Sequence, residues 1–237
     1  MNLSKWLRFW TGQTSPLHRY ASEEHYRDYG SELRLLLGGR ERGRVLEIGC
    51  GNGALFPHLG FASAAEYTGV DFSESMLEEF RQTNPGARLV CAPGHSYRED
   101  RQYDLIFSNG VVQYFNRKMM RTHVNNAAQM LSAEGMLVCA SVPWCRLRWA
   151  YCRGDAMPGA SRRSVLASLK AYARRCLSDP MGRWLDVAEF RELACANSMH
   201  ADFWGCLHYP YRFHARIFAP QADSLHPLPY RKGSDGS

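Results

Sequence analysis

The stretch that most constrains this chain is residues 45–54, with the sequence VLEIGCGNGA. Branched and straight apolar residues surround Glu47 and predict a short buried strand. The glycines that follow, Gly49, Gly51 and Gly53, allow the backbone to turn sharply and to approach a ligand closely. A carboxylate two residues before the first glycine suits a cationic ligand, whereas a loop for pyrophosphate alone would favour backbone amides without an acid.

A second acid follows at a meaningful distance. Residues 66–70 predict another strand, which ends at Asp71, about 20 residues after Gly51. At that separation, a carboxylate closing the second strand of a β-α-β unit hydrogen-bonds a ribose hydroxyl. Ser73 is placed to cap the next helix, with Met76 facing inward. Residues 103–107 predict the fourth strand, and its exit loop at 108–115 should border the ligand crevice at the carboxyl ends of the strands.

These three motifs together resemble the S-adenosylmethionine-dependent methyltransferases with a Rossmann-like fold, over residues 44–141 and, less fully, 184–218. The resemblance implies an α/β fold: a doubly wound seven-stranded sheet, mostly parallel, with an antiparallel last strand. It implies S-adenosyl-L-methionine as the cofactor, with Asp71 on the ribose and Phe72 and Met76 on the adenine faces. The cofactor-binding residues it implies are Glu47, Gly49, Cys50, Gly51, Asp71, Phe72, Met76 and Asn109.

Two other interpretations of the glycine run stay open. Gly49, Gly51 and Ala54 also satisfy the dinucleotide fingerprint of an NAD-dependent oxidoreductase, although no nicotinamide-side constellation follows. The loop at 92–97, APGHSY, has no acid where the methyltransferases often use one to bind the adenine amine, so backbone groups or His95 would replace it. That departure favours a second alternative, a non-catalytic module that binds S-adenosylmethionine.

The residues that would catalyse transfer are not fixed by these motifs. Methyl transfer is an in-line displacement from an activated sulfonium, so alignment of the acceptor can suffice. His95, Tyr114 and His123 are the catalytic candidates, with His208 or His214 as further bases.

Nucleic acid is disfavoured as the acceptor. The fourth-strand exit begins Ser-Asn-Gly-Val, without the [DNS]-P-P-[FYW] motif of exocyclic-amine methylation. Cys145 lacks the Pro-Cys order of cytosine-C5 enzymes. A small-molecule acceptor, methylated on oxygen or nitrogen, is the expectation.

The resemblance, together with the residue types of the segments around it, indicates the domain organisation. We expect a helical N-terminal extension at 1–39, a methyltransferase domain at 40–219, a basic helical cap insert at 142–184 and a flexible tail at 220–237. The extension is predicted to pack as a lid on the sheet edge, or to contact substrate or a membrane through its Trp-rich first turn, where Trp6 and Trp10 lie.

The insert is the most distinctive segment, with nine basic residues against two acids. Three interpretations are open. It can be a lid for an acidic acceptor, such as a phosphorylated sugar, a nucleotide-linked glycan or a carboxylate. It can be a basic amphipathic helix on anionic lipid, which serves a lipid-linked acceptor. It can also be a helix packed on the core with a solvated basic face. The expected acceptor-binding residues are Gln113, Trp144, Arg146 and Trp149.

Cysteine spacing and hydropathy argue against a metalloprotein and against a membrane-spanning protein. The eight cysteines form no C-x-x-C pair, so we expect reduced thiols, no metal site and no radical chemistry at an iron–sulfur centre. Lys5 and Arg8 interrupt the apolar N-terminus, and no apolar run approaches the ~18 residues that span a bilayer. A cytoplasmic, biosynthetic protein is expected, with peripheral contact at the inner membrane surface as the alternative.

Overall fold

A computed structural model describes residues 22–156, 159, 161–177 and 179–220 of the chain. Seven strands form one sheet in the order β3-β2-β1-β4-β5-β7-β6. The strands β1 to β5 are parallel, and β7 runs antiparallel to both of its neighbours. The predicted α/β sheet with an antiparallel last strand is confirmed. The strands are β1 Arg44–Ile48, β2 Glu66–Asp71, β3 Arg88–Cys91, β4 Tyr103–Asn109, β5 Leu131–Pro143, β6 His200–Gly205 and β7 Arg212–Phe218.

Six α-helices lie in the described part of the chain. Side-chain caps start several of them: Ser73 accepts from the Met76 amide, as predicted, and Asp186 accepts from the Ala188 amide. Glu189, three residues after the Asp186 cap, pairs its carboxylate with Arg183. The helices are α1 Glu23–Leu37, α2 Glu74–Thr83, α3 Arg117–Met130, α4 Arg148–Arg153, α5 Val165–Leu177 and α6 Val187–Ala196.

Each face of the sheet carries its own apolar core. On one face, α3 and α6 cover side chains such as Leu46, Ile106 and Phe213. On the other, α1 and α2 cover side chains such as Val45, Leu105 and Val138. Alternate residues of a strand point to opposite faces, so β1 and β4 contribute to both cores.

The link between β1 and β2 contains no α-helix. It folds as two 3₁₀ turns, Phe56–Leu59 and Phe61–Ser63, because Gly60 between them adopts a left-handed conformation with φ of 78°. The glycine turn after β1 is therefore followed by compact aromatic packing, in which the Phe56 ring contacts those of Tyr67 and Phe80.

The N-terminal helix is placed differently from the prediction. It does not cap the sheet edge; it packs through Leu33 and Leu37 into the core that covers one face. As a result His214, a further candidate base from the sequence, is buried beneath α1. The expected Trp6 and Trp10 contact and the tail from 221 onward lie outside the described residues.

The insert starts later than predicted, because β5 continues through Pro143. Its two described helices, α4 and α5, pack against each other. Among the described residues, no helix combines the length and apolarity needed to cross a membrane.

Candidate functional site

A cavity opens at the carboxyl ends of β1, β2 and β4. The positions predicted to bind the cofactor all line it: Glu47, Gly49, Cys50, Gly51, Asp71, Phe72, Met76 and Asn109. Their convergence follows from topology, since parallel neighbours in the order β2-β1-β4 end at one edge of the sheet.

The turn after β1 depends on glycine at two positions. Gly49 has φ of 75°, and a Cβ there would overlap Cγ2 of Val111. Gly51 has φ of 55°, but a Cβ there would meet nothing within 4 Å, so its backbone faces open space. The first glycine lets the turn pack on the β4 exit loop, and the second leaves the backbone accessible to a ligand.

Asp71 ties this turn to the end of β2. Its Oδ2 accepts from the Gly51 amide at 3.0 Å, and its Oδ1 accepts from the Ser73 amide at 2.9 Å. Burial raises the pKa of Asp71, while these backbone hydrogen bonds oppose the rise. A carboxylate oxygen can accept more than one hydrogen bond, so Asp71 can still accept a hydrogen bond from a ligand hydroxyl.

Glu47 is a buried carboxyl group that lines the same cavity. Its Oε2 accepts from the Tyr67 hydroxyl at 2.6 Å. Burial raises the pKa of Glu47 to about 7, and the Tyr67 hydrogen bond only partly offsets this. No cationic side chain among the described residues pairs with it. A cationic ligand in the cavity would stabilise the ionised form.

The loop after β3 closes the opposite wall with Pro93, Gly94 and His95. A Cβ on Gly94 would lie 2.5 Å from Cγ2 of Ile48, so glycine is needed for the loop to reach β1. Burial lowers the pKa of His95, whose ring lies 5.8 Å from that of Phe115.

His123, a catalytic candidate from the sequence, is a core residue. It does not line the cavity, its ring packs 5.4 Å from that of Phe115, and burial lowers its pKa to about 4. His123 lies on α3 behind the Phe115 ring, which separates it from the cavity.

Beside the cavity, at its lining residue Asn109, elements distant in sequence meet. The Tyr29 hydroxyl of α1 donates to Oδ1 of Asn109 at 2.7 Å. Tyr114 lines both this cavity and a second cavity on the side of the insert. The second cavity is lined by Tyr114, Asn116, Arg117, Met119, Arg148, Arg175, Cys176, Leu177, Asp179, Gly182, Arg183 and Trp184.

Arg212 at the start of β7 is a half-buried cation beside this region. Its Nη1 donates to the Ser141 carbonyl at 2.6 Å, and its guanidinium lies 5.7 Å and 5.3 Å from the ring centroids of Tyr209 and Tyr211. Its Nε is buried without a hydrogen-bond partner, and no carboxylate in the described chain pairs with it. Its charge opposes the burial-induced rise in the pKa of Tyr114.

A buried cluster fixes α1 against the β6–β7 connection. Glu32 accepts from the amides of Leu207 and His208 and from both histidine rings, His208 Nδ1 at 2.5 Å and His214 Nε2 at 3.2 Å. Burial would raise the pKa of Glu32, but these hydrogen bonds outweigh it and hold the pKa below its usual value. Glu32 is therefore an ionised clamp.

Donor atoms of Glu32, Cys206 and His214 lie within 4.8 Å of one another, a spacing that suits a metal ion. The hydrogen bonds account for the cluster without one. His214 Nδ1 accepts from the Ser141 amide, so Nε2 carries the proton that Glu32 accepts. Burial also raises the pKa of Cys206 to about 12, so its thiol is protonated in this hydrogen-bonded arrangement.

The predicted acceptor-binding residues are mostly occupied elsewhere. Arg146 is 70% exposed and pairs with Asp186, and the Trp149 ring packs 5.9 Å from Tyr172 between α4 and α5. Trp144 packs on Phe213. Gln113 is buried beside Tyr114, against Gly182. None of these four lines either cavity.

Sequence reasoning missed Tyr29 and Arg212. Tyr29 lies in an ordinary amphipathic helix pattern, and Arg212 in a strand where polar and apolar residues alternate. The signal that could have found Arg212 is its position directly after Tyr209 and Tyr211, since guanidinium groups stack on aromatic rings.

Comparison with known sequences gives matches to the central part of the chain. Residues 45–135 match the family described as "Methyltransferase domain". The malonyl-[acyl-carrier protein] O-methyltransferase of Priestia megaterium is 37% identical over 98 residues, which cover 40% of this chain and 35% of that protein. Nodulation protein S of Azorhizobium caulinodans is 29% identical over 112 residues, covering 46% of this chain and 54% of that protein. The alignments thus span less than two thirds of these relatives.

Solved structures share the fold over most of the chain. DesVI of Streptomyces venezuelae superposes with a TM-score of 0.60 at 16% identity, covering 83% of this chain and 93% of that one. DhpI, solved as an SAH complex, gives a TM-score of 0.62 at 18% identity, covering 92% and 97%.

Proposed function

We propose that the chain is an S-adenosylmethionine-dependent methyltransferase with a Rossmann-like fold that methylates an oxygen or nitrogen of a small-molecule acceptor carrying an anionic group. S-adenosylmethionine supplies a methyl group already activated on a sulfonium. The protein then has to align the acceptor and, where needed, remove a proton. The observation that carries the proposal is Arg212, a cation without a carboxylate partner in the described structure, whose charge reaches Tyr114.

The lining of the first cavity fits the cofactor. In this proposal Asp71 accepts from the ribose, and Phe72 and Met76 contact the adenine; all three line the cavity. The Gly51 backbone leaves space where a side chain would intrude. Glu47 would gain a cationic partner, which compensates for the burial of its carboxylate. His95 and the backbone of Gly94 would take the place of the missing adenine-binding acid.

The anionic character of the acceptor follows from the charge on the opposite side. A guanidinium that is partly removed from water without a carboxylate partner is costly, and an anionic ligand would remove that cost. Four arginines line the second cavity; Arg148 and Arg175 pair with Asp179, Arg183 pairs with Glu189, and Arg117 pairs with no described carboxylate. An acceptor that reaches from the second cavity past Tyr114 would place its anion beside Arg117 or Arg212.

A carboxylate acceptor agrees best with the absence of an obvious base at Tyr114. A carboxylate is ionised at neutral pH and attacks without prior deprotonation. One curated relative is named for O-methylation of a malonyl group, which carries a carboxylate. Burial raises the pKa of Tyr114, so its phenol stays protonated and can donate a hydrogen bond to the acceptor. For a neutral acceptor, His95 is the candidate base.

The acceptor can be free, glycan-linked or lipid-linked. For a lipid-linked acceptor the proposal includes peripheral contact of the protein with a membrane surface. In this arrangement 1–39 is an N-terminal extension of a methyltransferase domain at 40–219, and 142–184 is its cap.

The experiment is a two-stage measurement on the full chain. Calorimetry with S-adenosylmethionine comes first, with Asp71→Ala expected to lose most of the affinity. Labelled cofactor in a cell extract then reports turnover, and mass spectrometry identifies the product. Binding without turnover would leave the alternative, a non-catalytic cofactor-binding module. Equal affinity of the Asp71→Ala variant would contradict the ribose assignment.

A further inference from the structure

The outward face of α5 is an exposed apolar stripe. Val165 and Leu166 are each 65% exposed, Leu169 is 51% exposed and Leu177 is 90% exposed. These are most of the large exposed hydrophobic residues in the described chain. Helical spacing places all four on one side, together with Ala173 and Cys176.

The packed side of α5 is a different one. Ser168 is buried, and Arg175 lies over the Tyr151 ring at 4.7 Å while pairing with Asp179. Trp149 packs against Tyr172. Of the three interpretations of the insert, a helix whose apolar residues pack on the core does not fit the most apolar side of α5, since α4 occupies the opposite side.

Positive charge borders the stripe. Lys170 and Arg174 follow it along the helix, and neither forms an ion pair with any described carboxylate. No acid occurs within Val165–Leu177. Most other arginines of the insert are held by Asp155, Asp179, Asp186 or Glu189. The free charge is thus concentrated beside the apolar stripe.

We propose that α5 is a docking surface for an anionic lipid bilayer, with the stripe entering the headgroup boundary and Lys170 and Arg174 meeting the lipid phosphates. This is the arrangement of an interfacial amphipathic helix, in which apolar burial and attraction to anionic lipid add. The proposal deepens the membrane contact included in the proposed function by naming the surface that binds, and vesicle binding needs no methyl transfer, so the two can fail separately.

The size and composition of the stripe favour lipid over a protein partner. A helix of 13 residues is about 20 Å long, so the stripe covers on the order of 200 Å². A stable protein interface needs about 800 Å² on each partner. Interface anchors are usually Trp, Tyr or Arg seated in pockets, whereas the stripe offers aliphatic side chains on a convex surface.

The stripe also ends at the acceptor side of the molecule. Cys176 and Leu177 line the second cavity together with Arg175 and Arg183. Docking would therefore bring the bilayer next to that cavity.

Vesicle flotation of the full chain tests this surface. With vesicles of equal parts phosphatidylglycerol and phosphatidylcholine at low salt, we expect the protein to float, and with phosphatidylcholine alone to stay at the bottom. Leu166→Ser/Leu169→Ser should reduce partitioning at least tenfold, by loss of apolar burial. Lys170→Glu/Arg174→Glu should reduce it at least tenfold, because each basic residue near the surface contributes about a factor of five. Moderate salt should weaken binding of the wild type by screening.

Matched controls separate the stripe from general effects. Leu35→Ser removes an exposed leucine on α1, and Arg98→Glu/Arg121→Glu reverses two exposed charges outside α5. Both should float like the wild type. Circular dichroism and calorimetry with S-adenosylmethionine check that every variant is folded.

Several outcomes would overturn the proposal. Failure of the wild type to float on anionic vesicles is one, and equal loss in the control variants is another. Light scattering that shows a dimer broken by Leu166→Ser/Leu169→Ser would assign the stripe to a second copy of the chain instead.

Discussion

The two ends of the site are built in opposite ways. The cavity end formed by the glycine turn comes from short-range elements, β1, β2 and their exit loops, all within residues 44–95. The acceptor end combines α1, the β4 exit loop, the insert and β7, which are up to 183 residues apart, as Tyr29 and Arg212 show.

This contrast separates two kinds of constraint. At the glycine turn, backbone conformation and packing restrict the residue at each position, so the sequence carries a motif. At the acceptor end, function depends on the charge and the location of a few side chains, and many sequences satisfy that. Ser141, with φ of 59°, shows that strain is present there too, between Arg212 and the His214 ring.

The largest effect is expected at the glycine turn. Gly49→Ala forces a Cβ onto Val111 and a side chain into a left-handed conformation, so we expect a loss of about 3 kcal/mol in the free energy of unfolding. S-adenosylmethionine affinity should fall by about 100-fold or more because the turn shifts. Chemical denaturation measures the free energy of unfolding, and calorimetry measures the affinity for S-adenosylmethionine.

Gly86→Ala is the matched control, because a Cβ there meets nothing within 4 Å and the backbone is not left-handed. If both variants bound the cofactor like the wild type, the turn would not be the constrained element described above.

Arg212→Met should affect only the acceptor end. Loss of a charged hydrogen-bonding anchor costs about 3 kcal/mol, so kcat/KM for an anionic acceptor should fall roughly 100-fold. Cofactor affinity should stay unchanged. Arg146→Met is the control, since Arg146 is exposed and held by Asp186, and its kcat/KM should change less than about twofold. Equal losses in the two variants would place the anion site elsewhere.

Glu47 links the cofactor end to pH. Its pKa of about 7 in the free protein should be lowered by a cationic ligand, so binding releases a proton. Affinity for S-adenosylmethionine should rise about tenfold between roughly pH 6 and pH 8 because the ionised fraction rises by that factor. Glu47→Gln should remove this component. Calorimetry in buffers of different ionisation enthalpy measures the proton release, and a pH profile identical in the variant would contradict the assignment.

The same group sets a stability trend in the free protein. Since the folded pKa lies above the unfolded value, the folded state binds the proton more tightly. The contribution of Glu47 to the free energy of unfolding should fall as pH rises from about 4.5 to about 7 and stay constant above.

At the Glu32 clamp the expected effect is on stability. Glu32→Gln keeps the shape but loses the charge that both histidines contact, so we expect a loss of about 2 kcal/mol in the free energy of unfolding near neutral pH. The folded pKa of Glu32 is lowered, so the wild-type advantage should disappear as pH falls through that pKa. Glu24→Gln, exposed on the same helix, should leave stability unchanged. Thermal denaturation of the wild type and both variants at several pH values measures these differences in stability.

The sequence by itself determined the sheet and the cofactor end. Apolar runs bounded by turn residues located the strands, and the positions of Glu47, Gly51 and Asp71 around one cavity followed from strand order. These predictions were possible because the interactions that position the strands and these three residues are local or lie between neighbouring parallel strands.

Only the tertiary structure decided the acceptor end. The apolar pattern of α5 could not reveal that α4 would occupy its other side and leave the stripe exposed. The alternation in β7 could not reveal that α1 would cover it and bury His214 beside Arg212. Periodicity shows that a helix or strand has two faces, but which neighbour covers each face depends on contacts between residues far apart in the chain.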